Sequence, residues 1–115
     1  MSSVQLISIV GGGLAGLTLG IGLRRQGIPV TLWEAGTYPR HRVCGEFISG
    51  RGQQVLERLN LRKPLLEAGA FTAKSATFII GKFSSPVRPL PEPALSLSRF
   101  ELDSLLARIF CGWLR

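Results

Sequence analysis

The sequence predicts an α/β fold whose parallel sheet starts from a strand–helix–strand unit. Three observations carry that prediction. Val4 to Val10 is apolar apart from Gln5 and Ser8 and runs into three consecutive glycines. Leu14 to Gln26 places apolar residues at helical spacing. Val30-Thr31-Leu32-Trp33 is a second β-rich run, and Glu34 ends it. A parallel strand is covered on both faces, so it reads as a continuous Ile/Val-rich run rather than an alternating one, as the first segment does.

Gly11, Gly13 and Gly16 keep the G-x-G-x-x-G spacing. The first glycine permits a tight turn, the second lets the backbone approach a pyrophosphate, and the third lets helix and strand pack closely. The run Gly11-Gly12-Gly13-Leu14-Ala15-Gly16 is therefore a candidate phosphate cradle, with the free N–H groups and positive end of the helix aimed at the phosphates. In that helix Leu14, Leu17, Ile21 and Leu23 form an apolar face, and Arg24 and Arg25 fall in the last turn, where cations suit the dipole. Gly20 lowers helix propensity but allows close packing, and Gly27 is placed to cap the end. Glu34 lies eighteen residues past Gly16, where an acid at a strand tip accepts hydrogen bonds from ribose hydroxyls. Because the glycines follow a strand, open a helix and precede this acid, the motif has the context that a Rossmann-like dinucleotide site requires.

Thr37 to Gly50 reads as a loop edged by Pro39 and glycines. It carries Arg40, Arg42, Cys44 and Glu46, and is either a solvated loop or one folded back over a bound cofactor. His41, the single histidine, reads as a surface residue, so no Ser/His/Asp or Cys/His constellation arises. Arg51 to Leu61 predicts an amphipathic helix with Val55, Leu56 and Leu59 on one side, and Pro64 to Ala68 a short helical piece. Ala73 to Ile80 predicts a strand that Gly81 to Ser85 turns back. Pro86 to Leu90 would then pair as an edge strand, since prolines disfavour a central position. Ser98 with Glu101 makes a capping-box pattern, opening a helix with Leu102, Leu105, Leu106 and Ile109 on one face.

Composition narrows the function. The 115 residues suit one modest domain, and 45% hydrophobic content is ordinary for a globular protein. The apolar start has no Lys/Arg lead, is broken by glycines and meets Arg24 early. It therefore reads as neither signal peptide nor membrane span, and a cytoplasmic protein is expected. Cys44 and Cys111 form no C-x-x-C pair, so zinc and redox-pair chemistry have no support, and no metal site is expected. The net charge is +7, yet the basic residues are dispersed rather than clustered with aromatics, which argues against a nucleic-acid partner.

Three segments together resemble one family. They are the glycine turn with Glu34; Pro39-Arg40-His41-Arg42-Val43-Cys44-Gly45-Glu46-Phe47; and Ser98-Arg99-Phe100-Glu101-Leu102-Asp103 with Leu105 and Leu106. They look like FAD-dependent oxidoreductases of the geranylgeranyl reductase and aromatic-hydroxylase type, over the chain up to about Ile109. The resemblance implies an FAD-binding domain, incomplete here, with the first strands of a substrate-side antiparallel sheet at 71–91 and the nucleotide-binding part at 1–70 and 94–110. It implies that Gly11 to Gly16 hold the FAD pyrophosphate and that Glu34, with Ala35 beside it, binds the adenosine ribose. Arg42, Cys44 and Gly45 would line the flavin side, and Arg99 would reach the cofactor's phosphate or ribose. Related prenyl reductases carry a cysteine near the flavin in a Cys-Gly-Gly setting. Here the segment is Cys-Gly-Glu, which leaves Cys44 open between catalytic and packing roles. NAD(P)H is the implied reductant and a lipid-like or aromatic small molecule the implied substrate. The family's later Asp-Gly and Gly-Asp segments do not occur, and Cys111 to Arg115 does not match its continuation. A fragment inactive alone is therefore expected. The alternatives are an NAD(P)-binding domain of a dehydrogenase and a non-catalytic truncated product.

Overall fold

The computed structural model describes residues 3, 5–43 and 46–112. The chain divides into two compact units, one of residues Met1–Val43 with Ser98–Arg115 and one of Cys44–Leu97.

In the first unit, β1 (Ile7–Val10) and β2 (Val30–Trp33) pair in parallel, with Ile7 opposite Val30 and Val10 opposite Trp33. The helix α1 (Leu14–Arg25) connects them, and α4 (Arg99–Phe110) packs on α1. The strand–helix–strand reading holds, with each element one to three residues shorter at its ends than its apolar run. Gly27 adopts φ +77° just past the last turn of α1, a left-handed conformation that glycine enters without a Cβ penalty. Ile9, Leu17, Ile21, Val30, Leu102, Leu105, Leu106 and Ile109 are buried and form the core. Gly20 has a structural reason. A Cβ there would lie 2.8 Å from the Phe110 ring, so the helices can meet only because it is absent. Arg24 secures the same corner by donating to the carbonyls of Phe110 (2.5 Å) and Val30 (2.9 Å) with its guanidinium 3.7 Å from the Phe110 ring centroid. Ser98 caps α4, its hydroxyl accepting from the Glu101 amide at 3.3 Å as the capping pattern predicts.

In the second unit, β3 (Phe47–Ile48), β7 (Arg88–Ser96) and β4 (Phe71–Ala76) form an antiparallel sheet in the order β3-β7-β4. The helices α2 (Arg51–Arg58) and α3 (Arg62–Glu67) connect β3 to β4, and Leu56, Leu61, Leu65, Ala94, Leu95 and Leu97 are buried. Val55, expected on the inner side of α2, is instead 41% exposed. A hairpin of β5 (Ile79–Ile80) and β6 (Phe83–Ser84) stands as its own two-stranded sheet and leaves Phe78, Ile79, Ile80 and Phe83 exposed.

One expectation fails here and another holds only for part of a longer strand. The predicted strand from Ala73 to Ile80 is two strands, since the chain leaves the sheet after Ala76 to make the hairpin. The proline-rich segment pairs as expected at its start, where Arg88 and Pro89 meet Ala76 and Ser75 of β4 on one side only, but the strand runs on to Ser96 as β7 and becomes central at its far end. Its pairing explains how. β3 meets β7 only at Leu95 and Ser96, past the prolines, while the register with β4 is irregular between Ala73 and Ser75 and leaves Pro91 and Pro93 without a ladder partner. The missing N–H groups thus cost no regular sheet hydrogen bond at those two positions.

Candidate functional site

The site is built where β1 gives way to α1. Gly11 takes φ +105° and donates its amide to the Trp33 carbonyl at 2.7 Å, which reverses the chain at the strand end. Gly16 sits directly over this turn, and a Cβ there would lie 1.9 Å from the Gly11 carbonyl oxygen. Gly13 ends the turn as the cap of α1 and, having no side chain, makes no capping bond to the helix start. The first amides of a helix have no intrahelical acceptor, so these N–H groups are available to an anion. Ala15 is exposed, whereas Leu14 is half-buried. The glycine cradle therefore fits a phosphate-bearing cofactor.

Glu34 extends from the tip of β2 back onto this turn. Its Oε1 accepts from the Gly12 amide (3.0 Å) and from Arg40 Nη2 (2.8 Å), and its Oε2 accepts from the Gly36 amide (2.7 Å). The bond from Arg40, then those from Gly36 and Gly12, holds the carboxyl down at about 2, so it is ionised at neutral pH. A carboxylate offers about four acceptor positions, so three internal donors leave room for a ribose hydroxyl.

Two residues with no role assigned from sequence complete the clasp. Tyr38 donates its hydroxyl to the Gly12 carbonyl at 2.5 Å, and Arg40 Nη2 reaches the same oxygen at 3.2 Å. The Arg40 guanidinium stands 4.8 Å from the Tyr38 ring centroid, with its Nε and Nη1 buried and without hydrogen-bond partners among the described residues. The bond to Glu34 raises the Arg40 pKa further, and burial raises that of Tyr38. The two side chains therefore grip Gly12 from one side while Glu34 grips it from the other. A Cβ on Gly12 would fall 2.0 Å from the Tyr38 hydroxyl, so the middle glycine of the triplet is required by this clasp rather than by the helix.

Arg99, at the start of α4, approaches the turn from the α4 side. A Cβ on Gly13 would lie 3.9 Å from its Nη2. Arg99 is held by Asp103, with Nε to Oδ1 at 2.7 Å and Nη2 to Oδ2 at 2.9 Å. Ala35 and Arg42 are exposed, and Cys44 and Gly45 lie outside the described residues. His41 is exposed as expected, with its ring 4.8 Å from that of Phe100. The structure thus gathers the glycine turn, Glu34 and Arg99 and adds Tyr38, Arg40 and Asp103.

The comparisons with known proteins agree with this geometry. The model of the NAD(P)-binding Rossmann-like domain matches residues 9–58. Among curated proteins, a 1H-pyrrole-2-carbonyl-[peptidyl-carrier protein] brominase from Pseudoalteromonas luteoviolacea is 30% identical over 104 residues, which are 89% of this chain and 25% of that protein. The squalene epoxidase of Aspergillus fumigatus is 36% identical over 81 residues, 70% of this chain and 16% of that protein. The chain therefore spans a quarter or less of these relatives' length. Among solved structures, the tetrameric 2-methyl-3-hydroxypyridine-5-carboxylic acid oxygenase superposes with a TM-score of 0.84 at 25% identity, covering 96% of this chain and 30% of that one. The flavin-dependent brominase Bmp2 gives 0.72 at 25% identity, covering 94% and 28%. FAD is the cofactor that this set of neighbours supports. The chain has a Rossmann-like α/β fold and is similar, over its own length, to part of flavin-dependent oxygenases and halogenases.

Proposed function

We propose that this chain holds the adenosine diphosphate half of FAD in a flavin-dependent oxidoreductase. The observation that carries the reading is the clasp of Glu34 on Gly12, which joins a ribose acceptor to a phosphate cradle through one hydrogen bond. Within the Gly11 to Gly16 cradle, the amides at the start of α1 would bind the pyrophosphate, while those of Gly11 and Gly12 are held by Trp33 and Glu34 and shape the turn. Glu34 accepts from a ribose hydroxyl, and Arg99 offers a cation beside Gly13. By the family resemblance Arg42, Cys44 and Gly45 would line the flavin side and Ala35 would lie beside the ribose, with Cys44 the candidate for a catalytic group. Bound FAD would supply the redox chemistry, either reduction of a double bond or activation of oxygen. NAD(P)H is the reductant in this reading, and the substrate is a lipid-like or aromatic small molecule, as the geranylgeranyl reductase resemblance implies. Among the described residues no helix is long and apolar enough to cross a membrane, and the proposed location is cytoplasmic.

The matching domain model favours one competing reading, a site for a nicotinamide dinucleotide. Titrating the chain with FAD and following quenching of flavin fluorescence separates the two. The expected result is saturable FAD binding that ADP displaces and FMN does not. Displacement of FAD by NADH at lower concentration than ADP would favour the dehydrogenase reading instead. With FAD and NAD(P)H together, the 115 residues alone are expected to show no turnover, and measurable NAD(P)H oxidation would contradict that.

A further inference from the structure

Asp103 has no part in the proposed FAD contacts, yet it is a charged side chain with no exposure at all. It forms a two-point pair with Arg99, whose own side chain is 13% exposed. Both residues lie on α4, four apart, so their mutual bonds are internal to one helix. Burying such a pair removes two charges from water, and replacing it with apolar groups is often neutral or stabilising, so a buried pair is weak evidence of a purely stabilising role. A reason for Asp103 lies in what the guanidinium does. It is parked beside Gly13, next to the positive end of α1, where an unheld cation would be repelled. A bidentate carboxylate fixes both the position and the plane of a guanidinium and supplies the counter-charge until an anion arrives.

We propose that Asp103 is a positioning residue that holds Arg99 at the glycine turn, aimed at the cofactor's pyrophosphate. This rests on the FAD reading above. Coulomb's law and positioning predict opposite signs for an Asp103→Asn variant. Removing a negative charge near a pyrophosphate should tighten binding if charge alone matters. If orientation matters, binding should weaken, because one carboxylate acceptor is replaced by an amide NH2 that cannot receive the Arg99 Nη2 proton.

The test is a double-mutant cycle on the 115-residue chain, with FAD affinity read by fluorescence and folding by thermal melting. D103N is expected to weaken FAD about tenfold, about 1.4 kcal/mol. R99K, which keeps the charge but loses the fork, should do about the same, and the double variant should lose no more than the worse single. Additive losses, or D103N binding as tightly as the unmodified chain or tighter, overturn the positioning role while leaving the FAD reading intact. Absence of FAD binding by the unmodified chain overturns both. A second measurement does not depend on how D103N folds. In the unmodified chain the Arg99 Nε proton should exchange slowly with water and its resonance should shift on adding FAD. Free exchange of that proton overturns the proposal.

Discussion

Replacing Gly16 with alanine should weaken FAD binding by the chain severely and lower its melting temperature. The added Cβ would lie 1.9 Å from the Gly11 carbonyl oxygen and 3.1 Å from the Gly11 carbonyl carbon. Both are backbone atoms of the turn itself, so no rotamer relieves the clash. Either the turn opens or α1 moves off β1, and in both cases the amides lose their common focus. Overpacking of this kind costs about 3 kcal/mol, and the same distortion should weaken FAD roughly a hundredfold. Gly12→Ala makes the informative contrast. Its Cβ would meet the Tyr38 hydroxyl, the end of a side chain, so Gly12→Ala should be milder and partly rescued by Tyr38→Phe. Isothermal titration and melting curves of the three variants check the order. A Gly16→Ala chain that binds FAD normally would remove the cradle from the site.

Glu34→Gln should produce the second large loss. The amide keeps the shape but surrenders the charge, and its NH2 now faces donors from Gly12, Gly36 or Arg40. Since one lost hydrogen bond to a ribose hydroxyl is worth about a factor of ten, FAD affinity should fall at least that far. The pH dependence follows from the same bonds. The carboxyl titrates near 2 in the folded chain against an ordinary value of 4.5. A lowered folded pKa means the contribution to stability is full above about 4.5 and is lost as pH falls towards 2. Urea midpoints of the unmodified chain should therefore exceed those of Glu34→Gln above pH 5 and converge with them between 4.5 and 2. A gap that persists unchanged to pH 2 would mean the carboxylate is not held as described.

What was legible in the sequence was local. The glycine turn, α1 with its terminal arginines, the acid at the end of β2 and the Ser98 cap each depend on residues within a few positions of one another, where spacing carries the physics. What was not legible depends on contacts between distant positions. Tyr38 and Arg40 meet Gly12 across 26 and 28 residues, and nothing in a tyrosine or an arginine in a loop announces that partner. Asp103 stood inside a recognised segment at i,i+4 from Arg99, a spacing that allows the pair, but its complete burial follows from packing that no periodicity encodes. The prolines of β7 were legible only in part. Pro89 pairs with β4 alone, as an edge residue does, but the strand goes on to become central at Leu95 and Ser96 and leaves Pro91 and Pro93 where the ladder lapses.

The exposed hairpin has a colloidal consequence. Phe78, Ile79, Ile80 and Phe83 are each at least 70% exposed, on a chain carrying a net charge of +7. In dilute buffer that charge keeps copies apart. At about 0.1 M salt the screening length shrinks to roughly 10 Å, and copies can approach closely enough for their apolar tips to touch. Adding salt should therefore drive this chain towards turbidity, so its practical solubility is a balance between the hairpin and the arginines.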